Sequence, residues 1–129
     1  MMTVFENVYR DAANFKAFGQ VGFEGKAAPE ELESIRGHFL GDGLFIAEQL
    51  EIPPLYESLY QWSGGPTSSD HCWHEFVGVT EMDEAALPTD SYRGGSVAEF
   101  LDRLRAVVSW DEELSPHFRM KEYELRGGR

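Results

Sequence analysis

Asp70, His71, Cys72, His74 and Glu75 follow a Gly-Gly-Pro loop, Gly64 to Pro66, and each can ligate a metal ion or move a proton. Carboxylate, imidazole and thiolate together make the donor set that zinc prefers. Cys72 with His74 two residues on is also the pairing from which a cysteine nucleophile and its base are built. The cluster therefore suggests a small metal-dependent or cysteine hydrolase, with Asp70, His71, His74 and Glu75 as metal ligands. What decides between chemistry and coincidence is the element that carries these residues.

The stretch from Cys72 to Thr80 reads as a strand, and in a strand successive side chains point to opposite faces. Cys72, His74 and Phe76 then share one face, and His71, Trp73, Glu75 and Val77 the other. Each face is left with at most two good ligands, whereas catalytic zinc typically takes three protein ligands and keeps an open position. His38 and His117 complete a site only if the fold brings them close. A reactive thiolate also needs a neighbouring cation or helix N-terminus and, in a triad, a third residue that nothing here marks. The competing reading is a buried thiol beside a hydrogen-bonded histidine.

Gly64, Gly65 and Pro66, with Thr67, Ser68 and Ser69, invite comparison with phosphate-binding loops, but no G-x-x-x-x-G-K-[ST] is present. No lysine lies between Lys26 and Lys121, and Asp70 repels an anion. The segment reads as a turn, and no motif in the chain calls for a cofactor.

Charge is the strongest global signal. Residues 1–28 hold three acids and three bases, and residues 101–129 hold six of each. Residues 29–100 hold fourteen acids against Arg36 and Arg93, which accounts for the whole net charge of -12. Nucleic acid and anionic membranes are polyanions that need Lys and Arg to displace counterions, so neither suits this chain; a basic protein does. Glu30, Glu31, Glu33, Glu81, Asp83 and Glu84 are the candidate docking carboxylates, and Tyr56, Tyr60, Trp62 and Tyr92 are candidate aromatic anchors wherever they are exposed. The same acids also serve a helix start and a solvated loop.

A length of 129 residues suits one domain with its own core, and a hydrophobic fraction of 42% with nine Phe, five Tyr and three Trp supplies it. Cys72 is the single cysteine, so no internal disulfide forms, and a reducing, cytoplasmic setting is expected. There is no apolar run of membrane-spanning length and no basic start followed by an apolar stretch.

Thr3 to Tyr9 and Phe15 to Phe23 read as an antiparallel hairpin. In its second strand Phe15, Ala17, Gly19, Val21 and Phe23 share a face, and Gly19 and Gly22 mark a bulge or a close approach. A helix is expected from Pro29 through Leu32, Ile35 and Phe39, ended by Gly41. Leu44 to Leu50 resembles a strand stopped by Pro53 and Pro54, with a short helix carrying Leu55 and Leu59 after it. Asp83 to Gly95 reads as an acidic loop. Ser96 and Glu99 have capping-box spacing, opening an amphipathic helix through Phe100, Leu101, Leu104, Val107 and Val108. Phe118 to Leu125 reads as a last strand.

Two resemblances complete the reading. Leu125 to Gly128 is similar to the Leu-Arg-Gly-Gly tail of ubiquitin-type modifiers, which is extended, freed at the second glycine and conjugated. The run Val8 to Lys16, with Gly64 to Thr67, Asp70 and His71, resembles small uncharacterised bacterial proteins; it covers about half the chain and implies no activity, fold or site. The chain is thus expected to be one α+β domain, residues 1–129, with a mostly antiparallel sheet and two to three helices on it. Its expected role is a non-enzymatic binding module of inhibitor, immunity or adaptor type, or a nucleic-acid mimic. Such a module docks on a basic partner; a self-associating structural protein, as a homodimer, is the remaining class.

Overall fold

The structure is a computed structural model and describes residues 1–39, 41, 43–59 and 71–112. Five strands, β1 (Met2–Arg10), β2 (Lys16–Glu24), β3 (Leu44–Ile46), β4 (Trp73–Met82) and β5 (Tyr92–Ser96), form one sheet in the order β3-β4-β1-β2-β5. Every pairing is antiparallel except that of β5 with β2. Among the described residues two helices, α1 (Pro29–Gly37) and α2 (Val97–Ala106), pack on the sheet. This is the expected α+β domain with a mostly antiparallel sheet. No described helix is long and apolar enough to cross a membrane.

The central strand β1 explains why both faces of the sheet differ. Phe5 lies within 5.3 to 6.1 Å of the rings of Phe39, Phe45, Phe76 and Phe100, so its face is the inner one. By alternation Thr3, Asn7 and Tyr9 share that face, and their β2 partners Phe23, Gly19 and Ala17 share it too. Val21 and Phe23 are buried there as the alternation requires. Met2 and Val4 point the other way and meet Leu87 and Met82 in a small second cluster.

β4 carries a bulge. Glu6 pairs with Gly78 and Asn7 with Phe76, so Val77 is an extra residue opposite β1. The insertion turns Val77 outward with Gly78 and restores Val79 to the inner face, packed on the core.

Both glycines of β2 are close approaches, and at Gly22 the register with β5 also shifts. A Cβ at Gly19 would lie 2.7 Å from Leu55 Cδ2, and one at Gly22 would lie 2.5 Å from Leu87 Cδ2. At the helix start the Glu31 carboxylate accepts from the Ala28 N–H at 2.8 Å. The Ser96 box forms in both directions, with Glu99 N–H donating to Ser96 Oγ at 3.1 Å and Ser96 N–H to Glu99 Oε1 at 3.0 Å. The Ser96 N–H, and after it the Ser96 side chain, hold the Glu99 carboxyl below its ordinary pKa.

Five expectations need correction. The first helix stops at Gly37 with His38 as its cap, short of Gly41, and the helix from Ser96 stops at Ala106, leaving Val107 and Val108 beyond it. The strand from Leu44 ends at Ile46, because Ala47–Leu50 closes into a 3-10 turn that Glu51 finishes with a φ of 57°. The helix after Pro54 is a 3-10 turn, Tyr56–Leu59. Asp83 to Gly95 contains strand β5, disguised by Arg93, Gly94 and Gly95, which lack strand propensity. Gly94 is required there: a Cβ would meet Phe23 Cε1 at 2.5 Å. The expected last strand and the Leu-Arg-Gly-Gly tail lie outside the described residues.

Candidate functional site

His74 sits at the start of β4 and points inward, with no exposed surface. Its Nε2 accepts the Leu55 backbone N–H at 2.8 Å, so Nδ1 carries the proton and donates to the Cys72 carbonyl at 3.1 Å. The rings of Tyr9, Phe45 and Tyr56 surround it with centroids 5.5, 5.8 and 5.9 Å away. In that apolar cage the charged imidazolium is disfavoured, and burial lowers the pKa of His74 from 6.5 to about 4. Neither nitrogen faces a thiol.

Cys72 is buried as well. Burial, and then the nearby carboxylates of Glu112 and Glu48, push its thiol up to about 12. Its nearest polar partner is Glu112 Oε2 at 4.0 Å, an anion that opposes thiolate formation. The pairing expected of a cysteine nucleophile and its base is therefore replaced here by two groups held in their neutral forms.

His71 is committed in the same way. Its Nε2 donates to the Arg10 carbonyl at 2.7 Å, its Nδ1 accepts the Trp73 N–H at 3.0 Å, and its own backbone N–H donates to Tyr9 Oη at 3.1 Å. Glu75 lies on the outer face and pairs with Arg10 at 3.2 Å. His38 is occupied elsewhere, its Nε2 being 3.1 Å from the Val107 carbonyl. Among the described residues no group of three or more His, Cys, Asp or Glu is placed to hold a metal ion. Asp70 and His117 lie outside the described residues.

The candidate anchors divide sharply. Tyr56 is buried, and its hydroxyl donates to Glu48 Oε2 at 2.6 Å, so it belongs to the core and not to a docking face. Tyr60 and Trp62 lie outside the described residues. Tyr92 is 45% exposed. Three residues not foreseen as anchors are more exposed still: Phe18 at 75%, Phe15 at 65% and Val77 at 55%. Phe18 had a signal in the sequence, because alternation in β2 places it outward with Lys16, Gln20 and Glu24, where an aromatic ring has no core to fill.

Comparison with protein-family models, curated proteins and solved structures finds no match. The site must therefore be read from geometry alone. Of the candidate carboxylates, Glu30 and Glu33 are exposed on α1 and Glu31 is spent partly on the helix cap. Asp83 and Glu84 are exposed past the end of β4, and Glu81 at that end is 3.7 Å from Lys26. Since Lys26 leads directly into α1, this ion pair ties the approach to the acidic helix start to the acidic end of β4.

A cleft of about 500 Å³ lies along β2, lined in succession by Phe18, Gly19, Gln20 and Val21, with the carboxylates of Glu6 and Asp90. Pro53, Leu55 and Tyr92 also line it, and among the described residues no Lys or Arg does. Asn7, which also lines the cleft, is only 2% exposed, and neither atom of its carboxamide has a hydrogen-bond partner among the described residues.

Proposed function

We propose that this chain is a non-enzymatic acidic binding module that docks on a basic surface of another protein. The observation that carries the reading is the exposure of Phe18, Val77 and Tyr92 on a chain whose net charge is -12. Large apolar side chains left in solvent around carboxylates are the composition of a recognition patch, in which charge steers the encounter and a few rings supply the buried area. The reading is further supported by the inward, neutral state of the groups best suited to chemistry. His74 and Cys72 hold backbone and core, leaving the outer sheet surface as the accessible feature.

Docking would begin with attraction over roughly the Debye length, about 10 Å at 0.1 M salt. It would end with Phe18 and Tyr92 covered. Partners captured by the immobilised chain at low ionic strength should be basic proteins, and they should be released as salt rises toward about 0.5 M, where screening is nearly complete. Glu30→Lys with Glu33→Lys should weaken capture, and Phe18→Ala should shorten the residence time at constant salt. Capture indifferent both to salt and to these substitutions would remove the proposal.

A further inference from the structure

We infer that the β2 edge from Lys16 to Gln20 accepts an extended, Lys- or Arg-bearing segment of the basic partner, which adds to the sheet as a strand. The inference rests on the binding role proposed above and specifies how the partner is held. β2 pairs with β1 along its whole length, from Arg10 opposite Lys16 to Met2 opposite Glu24. Its other side is paired by β5 only at Val21, Gly22 and Glu24. Among the described residues, Lys16 to Gln20 thus carry no strand on that side.

The reason β5 stops short is local. Pro88 has no N–H to give a ladder, and Ser91 N–H donates to the Pro88 carbonyl at 3.0 Å, a turn that carries the chain away from β2 before Tyr92. Where β5 would have continued, the cleft begins. Phe18, Gly19, Gln20 and Val21 of β2 line it together with Asp90, Ser91 and Tyr92, so it lies between this edge and the turn into β5, and Glu6 and Asn7 of β1 and Val77 of β4 extend it over the sheet. Five residues at about 3.3 Å each give an edge of roughly 17 Å, room for one strand of ordinary length.

Unpaired edges are normally blunted by lysines, proline or a bulge. This one has Lys16 at its far end and, beside it, Phe15 and Phe18, both largely in solvent. Its surroundings also select the occupant. Among the described residues the charged groups that line the cleft are Glu6 and Asp90, so a cationic strand is attracted and an acidic one repelled.

The test uses the full chain, isotope-labelled, titrated with the peptide Ac-KVKVKVK-NH2 and in parallel with Ac-EVEVEVE-NH2, followed by backbone amide shifts and hydrogen exchange. The basic peptide should shift and protect amides between Lys16 and Val21, and the acidic peptide should leave them unmoved. Phe18→Lys, at a site too exposed to endanger the fold, should raise the dissociation constant about tenfold or more with an unchanged melting temperature. Absence of binding by the basic peptide, shifts confined to the acids of α1 and the β4 end, or equal binding of both peptides would each overturn strand addition. So would a dimer of the free chain joined through this edge, seen in sedimentation and not dispersed by peptide. If basic proteins are still captured in a salt-dependent way while the β2 amides stay silent, the binding role survives and only the strand mode falls.

Discussion

The inner end of β4 and the outer face of β2 flank the same central strand, β1, and differ in what their side chains have left to do. Around His74, every ring nitrogen of both neighbouring histidines is matched to a backbone group. Along the outer face of β2, Phe18 covers nothing that shields it, and Val77 stands in solvent on a bulge. The residues richest in chemistry are thus the most fully committed to holding the chain together. Those with the least chemistry are the ones left available, which is the arrangement that the proposed binding role requires.

The comparison breaks first at His74. His74→Ala removes the acceptor for the Leu55 N–H and the donor to the Cys72 carbonyl and opens a void among three aromatic rings. The expected loss is about 3–5 kcal/mol in denaturant unfolding, whereas Phe18→Ala should move stability by less than about 0.5 kcal/mol. Equal effects would erase the contrast between the two regions.

Titration sharpens it. The folded chain holds His74 at a pKa of about 4, below its ordinary 6.5, so the unfolded chain binds the extra proton between those values. The contribution of the neutral imidazole is complete above pH 6.5, declines as pH falls and is gone below about 4. A depression of this size corresponds to about 3 kcal/mol. Carboxylates titrate over part of the same range, so the comparison is with His74→Gln, whose stability should lack this portion of the pH dependence. Parallel curves for the two proteins would refute the assignment.

Asn7 offers a smaller and opposite effect. Asn7→Leu replaces an unpartnered buried carboxamide with an apolar side chain of similar size and should stabilise the chain by about 1–2 kcal/mol, measured as an upward shift in melting temperature. A decrease would mean that the carboxamide is held by a bound group. Smallest in energy, though clear in readout, is the thiol: at pH 8 Cys72 should react with Ellman's reagent only at the rate of unfolding. A prompt reaction would contradict a thiol pushed up to about 12 by burial.

Much of the architecture was legible because the relevant signals are local. Alternation in Ala17 to Phe23 sets the inner face of β2, whereas Phe15, expected on that face, precedes the strand and stands in solvent; Pro29 opens α1, and Ser96 with Glu99 opens α2, short-range preferences that the fold leaves in place. Strand β5 was not legible, because Gly94 is set by closeness to Phe23 and Gly95 by its φ of 93°, neither by strand propensity. The bulge at Val77 was also hidden, since it is a property of two strands in register and not of either alone. At the site, the division of the Asp70 to Glu75 cluster between faces followed from period-two geometry, and Glu75 does lie opposite His74. What the spacing could not contain was the identity of the groups that claim His71 and His74. The Leu55 N–H and the Arg10 carbonyl come from distant parts of the chain.

The late arrival of β5 has a consequence for synthesis. Val21 and Tyr92 are about 70 residues apart in sequence, and Arg103 of α2 donates to the Leu50 and Gly94 carbonyls, both at 3.1 Å, fastening that strand only after the second helix exists. Until a ribosome has delivered that helix, Val21, Gly22 and Glu24 have no β5 to pair with on the growing polypeptide. Nascent molecules of this protein therefore pass through a sticky interval, and they should lean on chaperones more than their size suggests.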